Sequence, residues 1–323
     1  MPMAARTIPL PSKNPGLRPA DLRRDMPGIA SLVEICFADT LDNNVAREMR
    51  MLSSSGLLSW LVGAVSPAWQ FGFVWVEAGK IVGNISTQPS EYDSRSWLIA
   101  NVAVHPDYRR RGFARALTEA ALQLAREQGG QRALLQVNRN NDGARHLYDG
   151  LEFNTLTIRT TWQRQRSSEP QVVPLPGVEI RPSRSEEWPI EFEFAVKHRP
   201  EGYNWPRPLR QGDWRPSLWR AIAGFFNGER QERWVAVEAA TGNIVGNARI
   251  ELGSGGRDQV GLLIRPDWGG RLERPLLAAA LRRLSHRFLP LYIDHPADEA
   301  EEPLRELGFR PLQTLIWMQK DFL

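Results

Sequence analysis

Val104-His105-Pro106-Asp107-Tyr108-Arg109-Arg110-Arg111-Gly112-Phe113-Ala114 stands between a mostly apolar run, Trp97–Val104, and an amphipathic one, Phe113–Gln128. The first run reads as a buried strand. The second places Phe113, Leu117, Ala120, Ala121, Leu124 and Ala125 at the spacing of one helix face. Gly129-Gly130 ends that helix, as glycine after a last turn commonly does. A strand–loop–helix turn of this kind points backbone N–H groups outward at the positive end of a helix, an arrangement that binds phosphate. Gly112 and Ala114 are small enough for a pyrophosphate to approach the backbone. Arg109, Arg110 and Arg111 add charge that carboxylates do not locally cancel.

Outward from the turn, Phe71–Glu77 and Ile81–Gln88 alternate around Ala78-Gly79-Lys80 and predict a hairpin. Ala133–Val137 predicts a further strand and Asp142–Tyr148 a short helix. The order is that of a mixed α/β sheet, not an alternating parallel wound one. Met49, Met51, Leu52, Leu57 and Leu58 predict a helical core face.

The landmarks occur twice. Leu17-Arg18-Pro19-Ala20 recurs as Ile180-Arg181-Pro182-Ser183, and Ile81-Val82-Gly83-Asn84 as Ile244-Val245-Gly246-Asn247. Val104-His105-Pro106-Asp107-Tyr108 recurs as Ile264-Arg265-Pro266-Asp267-Trp268, and Leu151-Glu152-Phe153 as Leu307-Gly308-Phe309. Their conserved order through both halves marks a duplication. Expected boundaries are an arm at 1–14, a first domain at 15–165, a polar and proline-rich linker at 166–175, and a second domain at 176–323.

The first copy resembles the GNAT acyltransferase superfamily. Arg109, Gly112 and Ala114 meet its [Q/R]-x-x-G-x-[G/A] signature, with Val104, Pro106 and Tyr108 as the usual lead-in. Asn141, Ala144 and Tyr148 meet a second element, N-x-x-A-x-x-x-Y, followed by an apolar-Phe closure. The resemblance implies two tandem acyl-CoA N-acyltransferase domains with acetyl-CoA as co-substrate and no metal. It implies that Val102, Ala103 and Val104 pair with the pantetheine arm and splay from the neighbouring strand. Amides from Arg109 through Arg110, Arg111, Gly112 and Phe113 to Ala114 would hold the pyrophosphate, and Asn141 would lie beside the pantetheine. Tyr148 would protonate the departing thiolate, a role that suits a donor held by a helix.

Two departures stand out. Glu152 occupies the family's small residue before the closing Phe, and Ala100-Asn101 stand where many members carry a glutamate base. Water relays to Glu91, Asp93 or His105 are the alternatives. A module that holds acyl-CoA without turnover is the rival reading. In the second copy, Leu272, Arg274 and Pro275 follow the lead-in where the first has Gly112, Ala114 and Arg115; Ala297 and Leu304 align with Asn141 and Tyr148. Loop and acid have gone together there, which predicts a degenerate second site. Mycothiol synthases share the tandem architecture and similar length, but their active half is the second.

The second copy also carries His198–Trp219, rich in Trp, Arg and Pro, where Trp205 and Trp214 are candidates for acceptor contact. Residues 1–170 hold 20 Lys/Arg against 16 Asp/Glu, and residues 171–323 hold 21 of each, so the +4 surplus lies in the first half. That suits an anionic ligand there and is too small to argue for nucleic acid. No apolar run approaches the ~20 residues of a membrane span, and the start lacks a secretory apolar core. Cys36 is the only cysteine, which excludes an intrachain disulfide and a cysteine metal cluster. A cytoplasmic home and a small-molecule or peptide amine acceptor are expected, with no membrane partner and the oligomeric state open.

Overall fold

The computed structural model describes residues 16–37, 72–165, 169–200, 202–205, 208–217, 219, 230–253, 258–284 and 290–322. The arm at 1–14, Phe71, and the candidate core face around Met49–Leu58 lie outside the described residues. By packing, the chain divides into two compact units. Unit 1 comprises Met1–Val137, Asn141–Asn154 and Met318–Leu323; unit 2 comprises Asn138–Asn140 and Thr155–Trp317.

In unit 1, β1 (Leu17–Pro19), β2 (Phe73–Glu77), β3 (Lys80–Pro89) and β4 (Ser96–Val104) pair antiparallel in that order. Next, β4 pairs in parallel with β5 (Arg132–Asn138). The hairpin turns on Ala78 and Gly79, at φ 48° and 76°. Two consecutive residues at positive φ match the right-handed twist of the flanking strands, and glycine takes the second at no steric cost. Helix α1 (Leu22–Phe37) packs Ile29 and Val33 with Ala20 and Val74. Helix α2 (Phe113–Glu127) buries the predicted stripe from Phe113 to Ala125 and ends at Gly129, φ 81°. Helix α3 (Asp142–Asp149) follows β5.

Unit 2 repeats the plan. Strands β7 (Val178–Pro182), β8 (Arg230–Glu238), β9 (Ile244–Leu252) and β10 (Asp258–Ile264) pair antiparallel, and β10 pairs in parallel with β11 (Leu291–Pro296). Helices α4 (Trp188–His198), α5 (Gln211–Trp214), α6 (Glu273–Arg282) and α7 (Glu301–Glu306) complete it. Even small features recur: the register shifts at Trp75/Val76 in β2 and at Ala236/Val237 in β8. The repeated Arg-Pro pairs also share a job. Arg18 grips Asp25 at 2.6 Å, and Arg181 grips Glu187 at 2.5 Å. Burial disfavours the ionised Asp25, but Arg18, Arg24 and the Asp21 N–H outweigh it and hold the carboxyl well below its usual range. At Glu187 the Arg181 hydrogen bond dominates and brings the carboxyl to about 2.

The closing strands do not follow the halves of the sequence. β6 (Asn154–Arg164) pairs antiparallel with β11, from Arg164↔Leu291 to Arg159↔Pro296, within unit 2. The tail of β12 (Phe309–Asp321) belongs to unit 1, where the Phe322 N–H donates to the Gln131 carbonyl at 2.7 Å. Trp162 on β6 is 1% exposed and packs in a core with Leu272, Leu276, Ile293 and Phe309. A fragment ending at Gln165 therefore carries a tryptophan stripped of its core and lacks a strand end of unit 1. We expect it to be insoluble or to unfold at least 10 °C below the full chain, since burying an aromatic side chain is worth about 1.5–3 kcal/mol and β6 also loses its ladder. A soluble 1–165 with full-chain thermal stability would show that β6 and the tail are dispensable.

The Trp-rich stretch is corrected in one particular. Trp214 is not a loop residue open to an acceptor. It is 4% exposed in α5, edge-to-face with Phe192 at 6.2 Å, with the Arg249 guanidinium 5.3 Å from its ring. Trp205 is half-buried; Trp219 is exposed, and residues 201, 206, 207 and 218 fall outside the described set.

Candidate functional site

The turn after β4 opens with Pro106–Tyr108 as one turn of 3₁₀ helix, capped by the His105 ring, which accepts from the Asp107 N–H at 3.3 Å. Arg110 then adopts φ 65° and Gly112 φ 81°, and Gly112 is the N-cap of α2 with no side chain capping it. Among the described residues no protein acceptor meets the N–H groups from Arg110 to Ala114. These are the donors that a helix start leaves unpaired, at its positive end. A Cβ built on Gly112 meets nothing within 4 Å, so the loop faces open space. Arg109, Arg110 and Arg111 are exposed beside it. Arg109 Nε donates to the Val104 carbonyl at 3.2 Å, and Arg111 lies 5.0 Å from the Tyr108 ring centroid. Free donors, open space and positive charge are what a pyrophosphate requires, and these residues fit one.

Strand β4 bends where that loop begins to be useful. Its register with β3 shifts between Asn84 and Ser86, and Asn101 takes φ 53° at the bulge, with its carbonyl accepting from Asn84 Nδ2 at 3.1 Å. Asparagine tolerates this left-handed conformation better than most residues. The pairing with β5 covers only Ser96–Leu98 against Arg132–Leu134, so Val102, Ala103 and Val104 have no β5 partner. Among the described residues, no strand pairs with the β5-facing side of Val102 and Ala103, while the Val104 carbonyl already accepts from Arg109 Nε. Val104 also accepts from the Cys36 thiol at 3.4 Å; burial pushes that thiol's pKa up, and the Arg109 guanidinium opposes the rise. Sequence reading missed Cys36 as a neighbour of this strand, because a lone cysteine in a helix carries no positional signal.

The candidate bases sit poorly. Ser96 and the Arg95 N–H hold Asp93 in the turn before β4, and the Ser96 hydroxyl lowers its carboxyl. Five residue steps, about 17 Å of extended chain, separate Ser96 from the bulge at Asn101. Glu91 precedes that same turn. His105 uses Nδ1 as the acceptor for Asp107, which leaves the neutral ring's hydrogen on Nε2. Ala100 and Asn101 are exposed and supply no carboxylate.

Asn141 caps α3, its Oδ1 accepting from the Ala144 N–H at 3.1 Å, which leaves its amide NH₂ outside the cap. Two turns on, Tyr148 is 4% exposed and stands edge-to-face with Phe153 at 5.8 Å. Burial pushes its phenol up to about 12. Its hydroxyl has no hydrogen-bond partner among the described residues. The two motifs are tied together by Arg115 on the first turn of α2, which donates to the Gly150 carbonyl just past α3 at 3.3 Å. The phosphate-competent helix start and the tyrosine helix are therefore neighbours. Arg115 was not singled out from sequence, since an exposed arginine on a helix is ordinarily a surface residue.

The corresponding turn of unit 2 differs at each of these points. Leu272, the N-cap of α6, has φ −99° and is 0% exposed, its side chain reaching the backbone at Gly246. Glu273 accepts from the Gly270 N–H at 2.8 Å, so a resident carboxylate satisfies a loop donor. Arg274 pairs with Glu306 at 2.5 Å, and Leu304 is buried in the core.

The description "Acetyltransferase (GNAT) family" matches residues 45–153. Mycothiol acetyltransferase from Streptomyces bingchenggensis is 30% identical over 258 residues, 73% of this chain and 76% of that protein. The [Ribosomal protein bS18]-alanine N-acetyltransferase of Escherichia coli K12 is 40% identical over 62 residues, 19% of this chain and only 42% of the enzyme. Among solved structures, a GCN5-related N-acetyltransferase from Sphaerobacter thermophilus superposes with TM-score 0.62 at 16% identity, covering 94% of this chain and 95% of its own. A tandem GNAT protein from the clavulanic acid biosynthesis pathway gives TM-score 0.50 at 15% identity, covering 94% and 98%. Among the described residues no helix is long and apolar enough to cross a membrane, and no group of three or more His, Cys, Asp or Glu is placed to hold a metal ion.

Proposed function

The chain belongs to the GNAT family of N-acetyltransferases, and from that footing we propose that unit 1 transfers an acetyl group from acetyl-CoA to a primary amine by direct attack. The observation that carries the reading is the Arg115–Gly150 tie, which sets an open, donor-rich helix start beside the helix bearing Tyr148. Backbone amides from Arg110 to Ala114 bind the pyrophosphate, with Arg109 and its two neighbours adding positive charge. Val102 to Val104, left without a β5 partner, offer backbone groups to the pantetheine, and the Asn141 amide NH₂, outside the helix cap, offers it a further donor. Acetyl-CoA supplies an activated acyl group whose thioester carbon takes the amine nitrogen. As the carbon–sulfur bond breaks, Tyr148 donates its phenolic proton to the sulfur and recovers one from solvent. The proton lost by the amine passes to water, since among the described residues Ala100 and Asn101 stand at the bulge and neither is a carboxylate.

The second copy has, in this reading, no acyl-CoA site. Leu272 fills the core instead of opening the turn, and the Glu273 carboxylate sits where a phosphate would need donors. The relatives are named for different acceptors, mycothiol in one case and a ribosomal protein alanine in the other, so the acceptor class is tested directly. A panel of amines, aminoglycosides, free amino acids and peptides with acetyl-CoA is expected to yield acceptor-dependent thiol release with at least one class. Tight acetyl-CoA binding without thiol release for any amine would instead make unit 1 an acyl-CoA sensor.

A further inference from the structure

Glu152 is a departure in sequence that the proposed chemistry leaves unexplained. It takes φ 62°, in the left-handed region that favours glycine, while the aligned residue of the second copy is Gly308, at φ 84°. The backbone turns the same way in both copies, and only the first places a side chain there, at a steric cost. That side chain has a partner. Lys320 Nζ donates to Glu152 Oε2 at 2.7 Å and holds the carboxyl below its usual range.

The lysine is as unusual as the glutamate. Met318 and Lys320 follow each other on the buried face of the β12 tail, at 2% and 9% exposed. An ammonium therefore stands where the alternation of a strand calls for an apolar side chain. Burying such a charge is costly unless a hydrogen-bonded partner meets it, and among the described residues Glu152 is that partner. The tail is fixed beyond the lysine, by the Phe322 N–H on the Gln131 carbonyl and by the Arg126 guanidinium 5.0 Å from the Phe322 ring. An exposed ion pair ordinarily contributes little; here one end is buried and the other stands on strained backbone.

The turn that Lys320 grips is the one that closes on Tyr148. The N–H groups of Leu151 and Phe153 both donate to the Tyr148 carbonyl at 3.0 Å, and the Phe153 ring lies against the tyrosine ring. Glu152 stands between those two donors, and Arg115 holds the Gly150 carbonyl two residues earlier. We propose that Lys320 is a positioning residue for acetyl transfer: carried in by the final strand of the second copy, it holds through Glu152 the turn that sets Tyr148 for protonating the thiolate. The inference deepens, and rests on, the assignment of the proton donor to Tyr148. It gives the second copy a part in the reaction without a cofactor site of its own.

Lys320→Met in the full chain is the test, because methionine suits the buried face and leaves Glu152, whose side chain is 86% exposed, in water. Hydrogen exchange read by mass spectrometry should show the Leu151 and Phe153 amides opening at least roughly tenfold more often, with the rest of unit 1 unchanged. With the amine that gives thiol release in the acceptor panel, kcat should fall roughly tenfold, a fraction of what a misplacement of about 1 Å can cost, while the KM for acetyl-CoA stays within about twofold. Lys320→Arg should restore most of the loss. Added to Tyr148→Phe, Lys320→Met should cost nothing further, as expected of residues that act as one unit. Unchanged amide exchange, a lower melting temperature with kcat intact, or a loss that persists in full on Tyr148→Phe would each overturn the role of the lysine and leave Tyr148 as the acid. Unaltered turnover in Tyr148→Phe, or no thiol release with any amine, would remove the acid and this inference with it.

Discussion

Replacing Gly112 with tryptophan is expected to remove acetyl-CoA binding while leaving the chain folded. Gly112 holds φ 81°, and a Cβ there meets nothing within 4 Å, so the indole enters open space and displaces no core atom. A residue with a side chain in this left-handed region costs about 1–2 kcal/mol, less than the 5–15 kcal/mol typical of a native fold. The same open space is where a pyrophosphate would meet the amides from Arg110 to Ala114. Filling it should weaken acetyl-CoA by at least roughly 100-fold, about 2.7 kcal/mol. Gly112→Ala separates the two effects: it shares the backbone strain but not the bulk, and should lose far less affinity. Calorimetry on the native chain should give one site per chain. Two equivalent sites, or an unaltered affinity in Gly112→Trp, would contradict the assignment of the cofactor to unit 1 alone.

Tyr148→Phe should retain acetyl-CoA affinity and lose about 10²–10⁴-fold in turnover, the usual contribution of a positioned proton donor. The ring is buried against Phe153 while the hydroxyl has no partner among the described residues, so removing the oxygen costs the fold little. Burial also sets the pH behaviour. With its pKa raised from 10.0 to about 12, the phenol keeps its proton throughout the neutral range. Loss of the acid form is therefore expected only as pH approaches 12, and a fall in turnover near pH 10 should belong to another group. Full activity of Tyr148→Phe on a genuine acceptor would mean that solvent protonates the thiolate.

The local parts of the site were legible because local chemistry specifies them. Gly112 is one of few residues that can open a helix at φ 81° with no side chain in the way, and Asn141 is a ready N-cap; both can be recognised from a few neighbours in sequence. The stripe from Phe113 to Ala125 likewise announces its buried face through spacing alone. The arrangement of the halves was less accessible. Duplicated landmarks suggest boundaries near 165 and 176, yet the packing units take β6 into unit 2 and the final residues into unit 1. Alternation marks a strand but says nothing of which distant strand it will pair with.

Trp214 illustrates the same limit from the other side. Interleaved aromatics and arginines read equally well as a ligand platform or as packing, and only the contacts with Phe192 and Arg249 decide for packing. What the sequence by itself determined is the mixed α/β class, the strand–turn–helix at Gly112 and the short helix that bears Tyr148, since each element depends on residues within a few turns of chain. Only the tertiary structure decided that Arg115 ties those two motifs together, that β4 parts from β5 after Leu98, and that Leu272 turns into the core of unit 2 while Glu273 takes the Gly270 N–H. These outcomes depend on atoms brought together from segments far apart in the chain, where side-chain reach and burial, not residue spacing, set the chemistry.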